Sequence, residues 1–283
     1  MPQKLEECGI EVDGVNWFYR EAKPERPREA PPVLLLHGLP SQSYSWRDVM
    51  PALAERGFRS LAPDWIGFGF SDTPNADRFA YTPTAFAQAL DEFLDALEVE
   101  CCSLVAQGFL GSVGIQYALQ QRDRIERLAI INAPIAPNAK LPWKIKQLGL
   151  PLVGDVMTQD PLLVDRTLEG GGPYQVADKD LDVYRRPFLR SSAAGRSLLA
   201  TIRNLQLPKV TAEISSGLAQ WDRPTLIIWG ENDPWLPLSM SQEAAKSLPN
   251  GQLVRLEQVG HYAQEDWHEK VSEALIPFLL GRE

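Results

Sequence analysis

The chain begins with an alternation of apolar and polar positions. Residues 10–20, IEVDGVNWFYR, alternate on either side of Asp13-Gly14, and a period of two broken by an Asp-Gly pair predicts a β-hairpin. VLLL at 33–36 is a continuous apolar run, as expected of a strand covered on both faces. FRSLAPD (58–64), SLVAQ (103–107), RLAIINA (127–133), PTLIIWG (224–230) and QLVRLEQ (252–258) read as further strands. Helical periods lie between them. Residues 47–56 carry one, and TPTAFAQALDEFLDALEV (82–99) carries another, with Phe86, Leu90, Phe93, Leu94 and Leu97 as its apolar stripe. SVGIQYALQQR (112–122), 239–247 and 268–280 complete the set.

Strands alternating with helices predict an α/β fold: a mostly parallel, twisted sheet flanked by helices and wound by right-handed crossovers. The rhythm stops over residues 134–217, which hold scattered prolines, the run Gly170-Gly171-Gly172 and short helical patterns, with no strand. This predicts a core built from 1–133 and 218–283, with a helical lid of residues 134–217 inserted after the sixth strand.

Composition narrows the classes of function. The 283 residues are 44% hydrophobic and 23% charged, an ordinary globular balance. A net charge of −9 without a basic run argues against a nucleic-acid partner. Cys8, Cys101 and Cys102 make no disulfide framework, so a reducing compartment, cytoplasmic or plastid-like, is expected. The start, MPQKLEECGIEVDG, lacks the apolar stretch of a signal peptide. No apolar run approaches the ~20 residues that cross a bilayer, so no membrane partner is expected. No metal and no cofactor are expected, and the sequence does not speak to oligomeric state.

Chemistry concentrates where predicted strands end. HGLPSQSYSW (37–46) follows VLLL, and Gly38 lets the backbone bend so that the Leu39 N–H faces a cavity as an oxyanion donor; His37 pins the turn. In PDWIGFGFSD (63–72), Asp72 is expected to bond to backbone. Asp233 in WGENDPWLP (229–237) lies just past a strand's carboxyl end, where open α/β sheets place functional groups. His261 in QVGHYAQED (258–266) holds the matching position after the last strand, giving an acid followed by a base. His268 reads as a solvated helix-start residue.

On these motifs the chain resembles the α/β-hydrolase fold and, within it, the haloalkane dehalogenase-like branch. That branch carries His-Gly-x-Pro and then Pro-Asp-x-x-Gly-x-Gly-x-Ser-Asp, both present here in order. The resemblance spans nearly the whole chain and is weakest in the lid. It implies that the nucleophile stands in LVAQGFLGSVG (104–114), at a strand–turn–helix junction. The branch's Val-Gln-Asp-Trp-Gly-Gly, laid on this stretch, sets Gln107 on the glutamine, Gly108 on the nucleophilic aspartate and Phe109 on the tryptophan. Leu110 and Gly111 fall on the two glycines. Gly108 therefore leaves the nucleophile position vacant. Phe109 has no indole N–H, and Leu39 stands where many members have asparagine.

Three readings follow. In the first, a protein with an incomplete triad binds a small apolar molecule between core and lid, lined by Phe109, Trp143 and Tyr174. In the second, His261 oriented by Asp233 acts as a base without a covalent step, with the Leu39 and Phe109 amides as oxyanion hole. In the third, the chain is a conventional hydrolase with Ser112 as nucleophile, although Ser112 lies four residues after Gly108, about one helical turn.

Overall fold

Successive residues of a strand face opposite sides of its sheet, so a strand covered on both sides must be apolar throughout. The computed structural model describes residues 5–282 except 151, 159 and 161, and places eight strands in one sheet. These are β1 (Glu6–Val12), β2 (Val15–Ala22), β3 (Val33–Leu36), β4 (Ser60–Pro63), β5 (Cys102–Gln107), β6 (Ile125–Ile131), β7 (Thr225–Gly230) and β8 (Gly251–Leu256). Leu34, Leu36, Leu104, Ala106, Leu128 and Ile130 pack on one face; Val33, Leu35, Val105, Ala129 and Ile131 pack on the other. Each face is thus one half of a period-two pattern.

The strand order is β1-β2-β4-β3-β5-β6-β7-β8. β1 and β2 pair antiparallel, β2 runs antiparallel to β4, and every later pairing is parallel. The hairpin turn falls at Asp13-Gly14, both with positive φ (49° and 70°), which suits a two-residue connection between twisted strands.

Helices α1 (Val49–Glu55), α2 (Pro83–Ala96) and α3 (Gly108–Gln120) connect the first parallel strands. α2 starts at a Thr82 cap, whose hydroxyl accepts from the Ala85 N–H at 3.3 Å, with Pro83 in the first turn. Between β6 and β7 come six helices among the described residues: α4 (Trp143–Lys146), α5 (Val153–Met157), α6 (Leu162–Glu169), α7 (Asp178–Arg190), α8 (Ser192–Asn204) and α9 (Leu207–Leu218). α10 (Leu238–Ser247), α11 (Ala263–Asp266) and α12 (His268–Leu279) follow.

One boundary differs from the sequence expectation. The helix anticipated over 112–122 begins at Gly108, directly after β5 ends at Gln107. No connecting residue is needed, because Gly108 reverses the chain alone with φ +71°. α3 then crosses β5 closely: a Cβ on Gly111 would lie 3.1 Å from the Ala106 carbonyl carbon, and one on Gly114 would lie 2.5 Å from Leu36 Cδ1.

A buried polar knot joins the segment between β3 and α1, and α11 after β8, to α7 of the insertion. Arg47 donates to both carboxylate oxygens of Glu265, at 2.8 and 2.6 Å, and lies 3.4 Å from Asp180 of α7. Tyr184 of α7 donates to Glu265 at 2.5 Å, and Tyr44 donates to Asp180 at 2.8 Å. Burial pushes the Tyr184 phenol well above its ordinary pKa, and the neighbouring Glu265 carboxylate adds to the rise.

Candidate active site

The carboxyl ends of β5, β6 and β7 and the loop after β8 converge on His261. Its Nδ1–H donates to Asp233 Oδ2 at 2.8 Å, with both side chains buried. Asn132, just past β6, donates its Nδ2–H to the same oxygen at 2.9 Å and accepts the Gly230 N–H on its Oδ1 at 2.8 Å. Asp233 Oδ1 accepts the backbone N–H groups of Trp235 and Leu236 at 2.8 and 3.1 Å. Four donors therefore fix this carboxylate, and the carboxylate in turn orients the imidazole so that Nε2 is the nitrogen left without a partner.

The imidazole is enclosed by aromatic rings. Phe109 stacks on it at 5.3 Å between centroids and 26° between planes. Trp235 lies at 4.7 Å, and Tyr262 meets it edge-on at 4.9 Å. The Tyr262 hydroxyl donates to the Leu39 carbonyl at 2.6 Å, tying the base loop to the turn after β3. His261 Nε2 has no hydrogen-bond partner among the described residues and is buried. A Cβ on Gly108 would lie 3.2 Å from this nitrogen and 3.1 Å from Gly38 Cα.

Gln107 joins the pieces. It accepts the Gly38 N–H at 3.1 Å and donates to the His261 carbonyl at 2.9 Å. The His261 N–H in turn donates at 2.7 Å to the carbonyl of Gly171, in the segment between α6 and α7.

The remaining sequence-selected residues fall as follows. The Leu39 and Phe109 side chains are fully buried, and the Phe109 N–H is among the first of α3, which have no acceptor within the helix. Trp143 is 65% exposed and Tyr174 sits at the surface against Trp267, so neither is brought to His261. Aromatic residues in a helical insertion turn outward as readily as inward, and no periodic signal marks which. Ser112 is buried within α3, with its hydroxyl donating to the Phe109 carbonyl at 2.6 Å.

His37 is held as a turn pin. Its Nδ1–H donates to the Gly38 carbonyl at 2.9 Å, its Nε2 accepts the Trp65 N–H at 3.1 Å, and burial pushes its pKa down. Asp72 accepts the backbone N–H of Asn16 at 2.8 Å.

Sequence reasoning missed Asn132, Trp235, Tyr262 and Asp64. Asp64 accepts the N–H groups of Ser43 and Phe70 at 2.6 and 2.7 Å, so one buried carboxylate organises both glycine-containing turns. Gly69 is required there, since a Cβ would fall 2.0 Å from Asp64 Oδ2. The available signals were the position of Asn132 directly after an apolar strand and of Asp64 inside the Pro-Asp motif.

A family model described as the alpha/beta hydrolase fold matches residues 31–266, most of the chain. The chain belongs to this alpha/beta hydrolase family. The protein is 30% identical over 266 residues to a haloalkane dehalogenase of Psychrobacter cryohalolentis, covering 90% of this chain and 85% of that one. It is 28% identical over 256 residues to haloalkane dehalogenase 2 of Mycobacterium tuberculosis, covering 87% of each. Its structure superposes on that of a haloalkane dehalogenase from Bradyrhizobium elkani with a TM-score of 0.86 at 26% identity, covering 98% of both chains. This hydrolase is therefore close to the haloalkane dehalogenases in sequence and fold.

Proposed function

We propose that this hydrolase-family protein has given up covalent catalysis and binds a small apolar molecule without turnover, between its core and the helices inserted after β6. Gly108 stands where the dehalogenase-like branch carries its aspartate nucleophile, and His261, Asp233 and Asn132 are the retained remainder of the site. The observation that carries the reading is the 3.2 Å separation between His261 Nε2 and the Cβ position of residue 108. A side chain rooted at that point would lie within reach of the base, and glycine supplies no oxygen there to attack.

The apolar character of the ligand rests on what surrounds the ring: Phe109, Trp235 and Leu39 supply carbon surface, and neither Phe109 nor Leu39 offers a side-chain polar group. The test has two arms. Incubation with 1-bromobutane gives no halide release above a buffer blank. Native mass spectrometry in the presence of 1-bromobutane or butan-1-ol gives a reversible one-to-one adduct that Phe109→Ser weakens. Halide release by the wild type, or an adduct indifferent to Phe109→Ser, overturns the proposal.

A further inference from the structure

Large apolar side chains are unevenly distributed over the surface. Of the eight that are exposed among the described residues, six fall within 143–162: Trp143, Leu150, Leu152, Val153, Val156 and Leu162. They run from the start of α4 through α5 to the start of α6. Trp143, Leu152 and Val156 are 65%, 79% and 73% exposed, so they do not serve the core. Such a concentration of exposed apolar side chains in one stretch of chain marks an interaction surface.

The charge of this segment is opposite to that of the molecule. Residues 140–158 hold the exposed lysines Lys140, Lys144 and Lys146 against the single acid Asp155, in a chain whose net charge is −9. None of the three lysines forms an ion pair among the described residues. Asp155 is occupied locally, accepting the Leu152 N–H at 3.1 Å. Leu152 itself has φ +65°, a conformation that glycine adopts without strain, yet the residue there is a leucine projecting into solvent. Beside the segment lies a groove of about 520 Å³ lined by Leu141, Leu150, Ile202 and Leu207 together with Lys140 and Lys146.

We propose that the α4–α5 segment is a docking surface for an anionic lipid membrane, with Trp143, Leu152 and Val156 entering the interface and Lys140, Lys144 and Lys146 meeting lipid phosphates. The pairing of exposed tryptophan and aliphatic residues with lysines is that of a segment lying in the plane of a bilayer surface. An anionic bilayer offers both partners in one surface, phosphates for the lysines and an acyl layer for the apolar side chains, and the groove offers an apolar wall with cations at hand for an acyl chain below its phosphate. Docking of this kind needs no spanning helix, and no described helix is long and apolar enough to cross a membrane.

The full chain is floated with phosphatidylcholine vesicles that contain roughly a third phosphatidylglycerol, beside pure phosphatidylcholine vesicles. The expected result is flotation with the anionic vesicles only, reversed by raised salt. The triple variant Lys140→Gln, Lys144→Gln, Lys146→Gln weakens binding on the order of a hundredfold, and Leu152→Ser with Val156→Ser weakens it about tenfold or more. Unchanged melting temperatures show that the variants are folded. Absence of flotation overturns the proposal, as does flotation that neither variant changes. A concentration-dependent dimer lost in the Leu152→Ser, Val156→Ser variant, without vesicle binding, also overturns it and makes the segment a contact between copies.

Discussion

The His261 imidazole and Gly108 occupy a single space: a Cβ added at residue 108 would lie 3.2 Å from His261 Nε2, closer than ordinary carbon–nitrogen contact. Gly38 closes the opposite side, with its Cα 3.1 Å from the same point. Glycine is thus favoured by the φ of +71°, and a Cβ there would press on both neighbours. Gly108→Ala is expected to destabilise the fold by about 1–3 kcal/mol, from the left-handed backbone and the displaced imidazole. Urea unfolding measures this, and an unchanged midpoint would mean that the ring is free to move aside.

Asn132 donates to the same Asp233 oxygen that His261 does. Its φ of +41° suits glycine, so Asn132→Gly removes the side-chain hydrogen bonds while relieving the backbone. A net loss of about 1–3 kcal/mol is expected, because Asp233 Oδ2 and the Gly230 N–H each lose a buried partner. Stabilisation by this change would show that the hydrogen bonds contribute less than the strain.

The pairing of Arg47 with Glu265 gives a test of how the inserted helices are held. Glu265's side chain is 4% exposed and Arg47's 18%, so removing one partner leaves a charge buried. Arg47→Met is expected to lower stability by about 3 kcal/mol, and Arg47→Met with Glu265→Gln by clearly less than the sum of the single changes. Hydrogen exchange in α7 should rise in the single variant, through the loss of the contact with Asp180. Additive effects would contradict a coupled knot.

Asp266 supplies a pH dependence. Burial raises its pKa from 3.8 to about 6, while the Gly260 N–H, 2.7 Å away, opposes the rise. The folded state therefore binds the proton more tightly than the unfolded chain. Its contribution is most favourable below pH 3.8 and is lost as pH rises to about 6. Asp266→Asn should remove this slope and leave the variant more stable than the wild type above that window, by about 3 kcal/mol at most. Denaturant titrations across pH check it, and parallel curves would count against a buried acid at this position.

The sheet was legible because two-sided burial writes itself into sequence as unbroken runs such as VLLL, and the Asp233–His261 pair because each residue follows the carboxyl end of a strand. The start of α3 was not, since a turn made by one residue leaves no turn-rich segment to read. The roles of Gln107 and Asn132 were hidden for a different reason: their partners lie 154 and 101 residues away, at separations no local pattern encodes. Trp143 shows the limit for the inserted helices, where the same aromatic residue serves core or surface.

The central claim is that no covalent intermediate forms at the β5–α3 turn. Intact-protein mass spectrometry after incubation with 1-bromobutane and with a p-nitrophenyl ester, in the presence of the His261→Phe variant as a trap for any intermediate, measures it directly. The account predicts an unmodified mass in wild type and variant alike. An added alkyl or acyl mass that maps to the peptide containing residues 104–114 would contradict it.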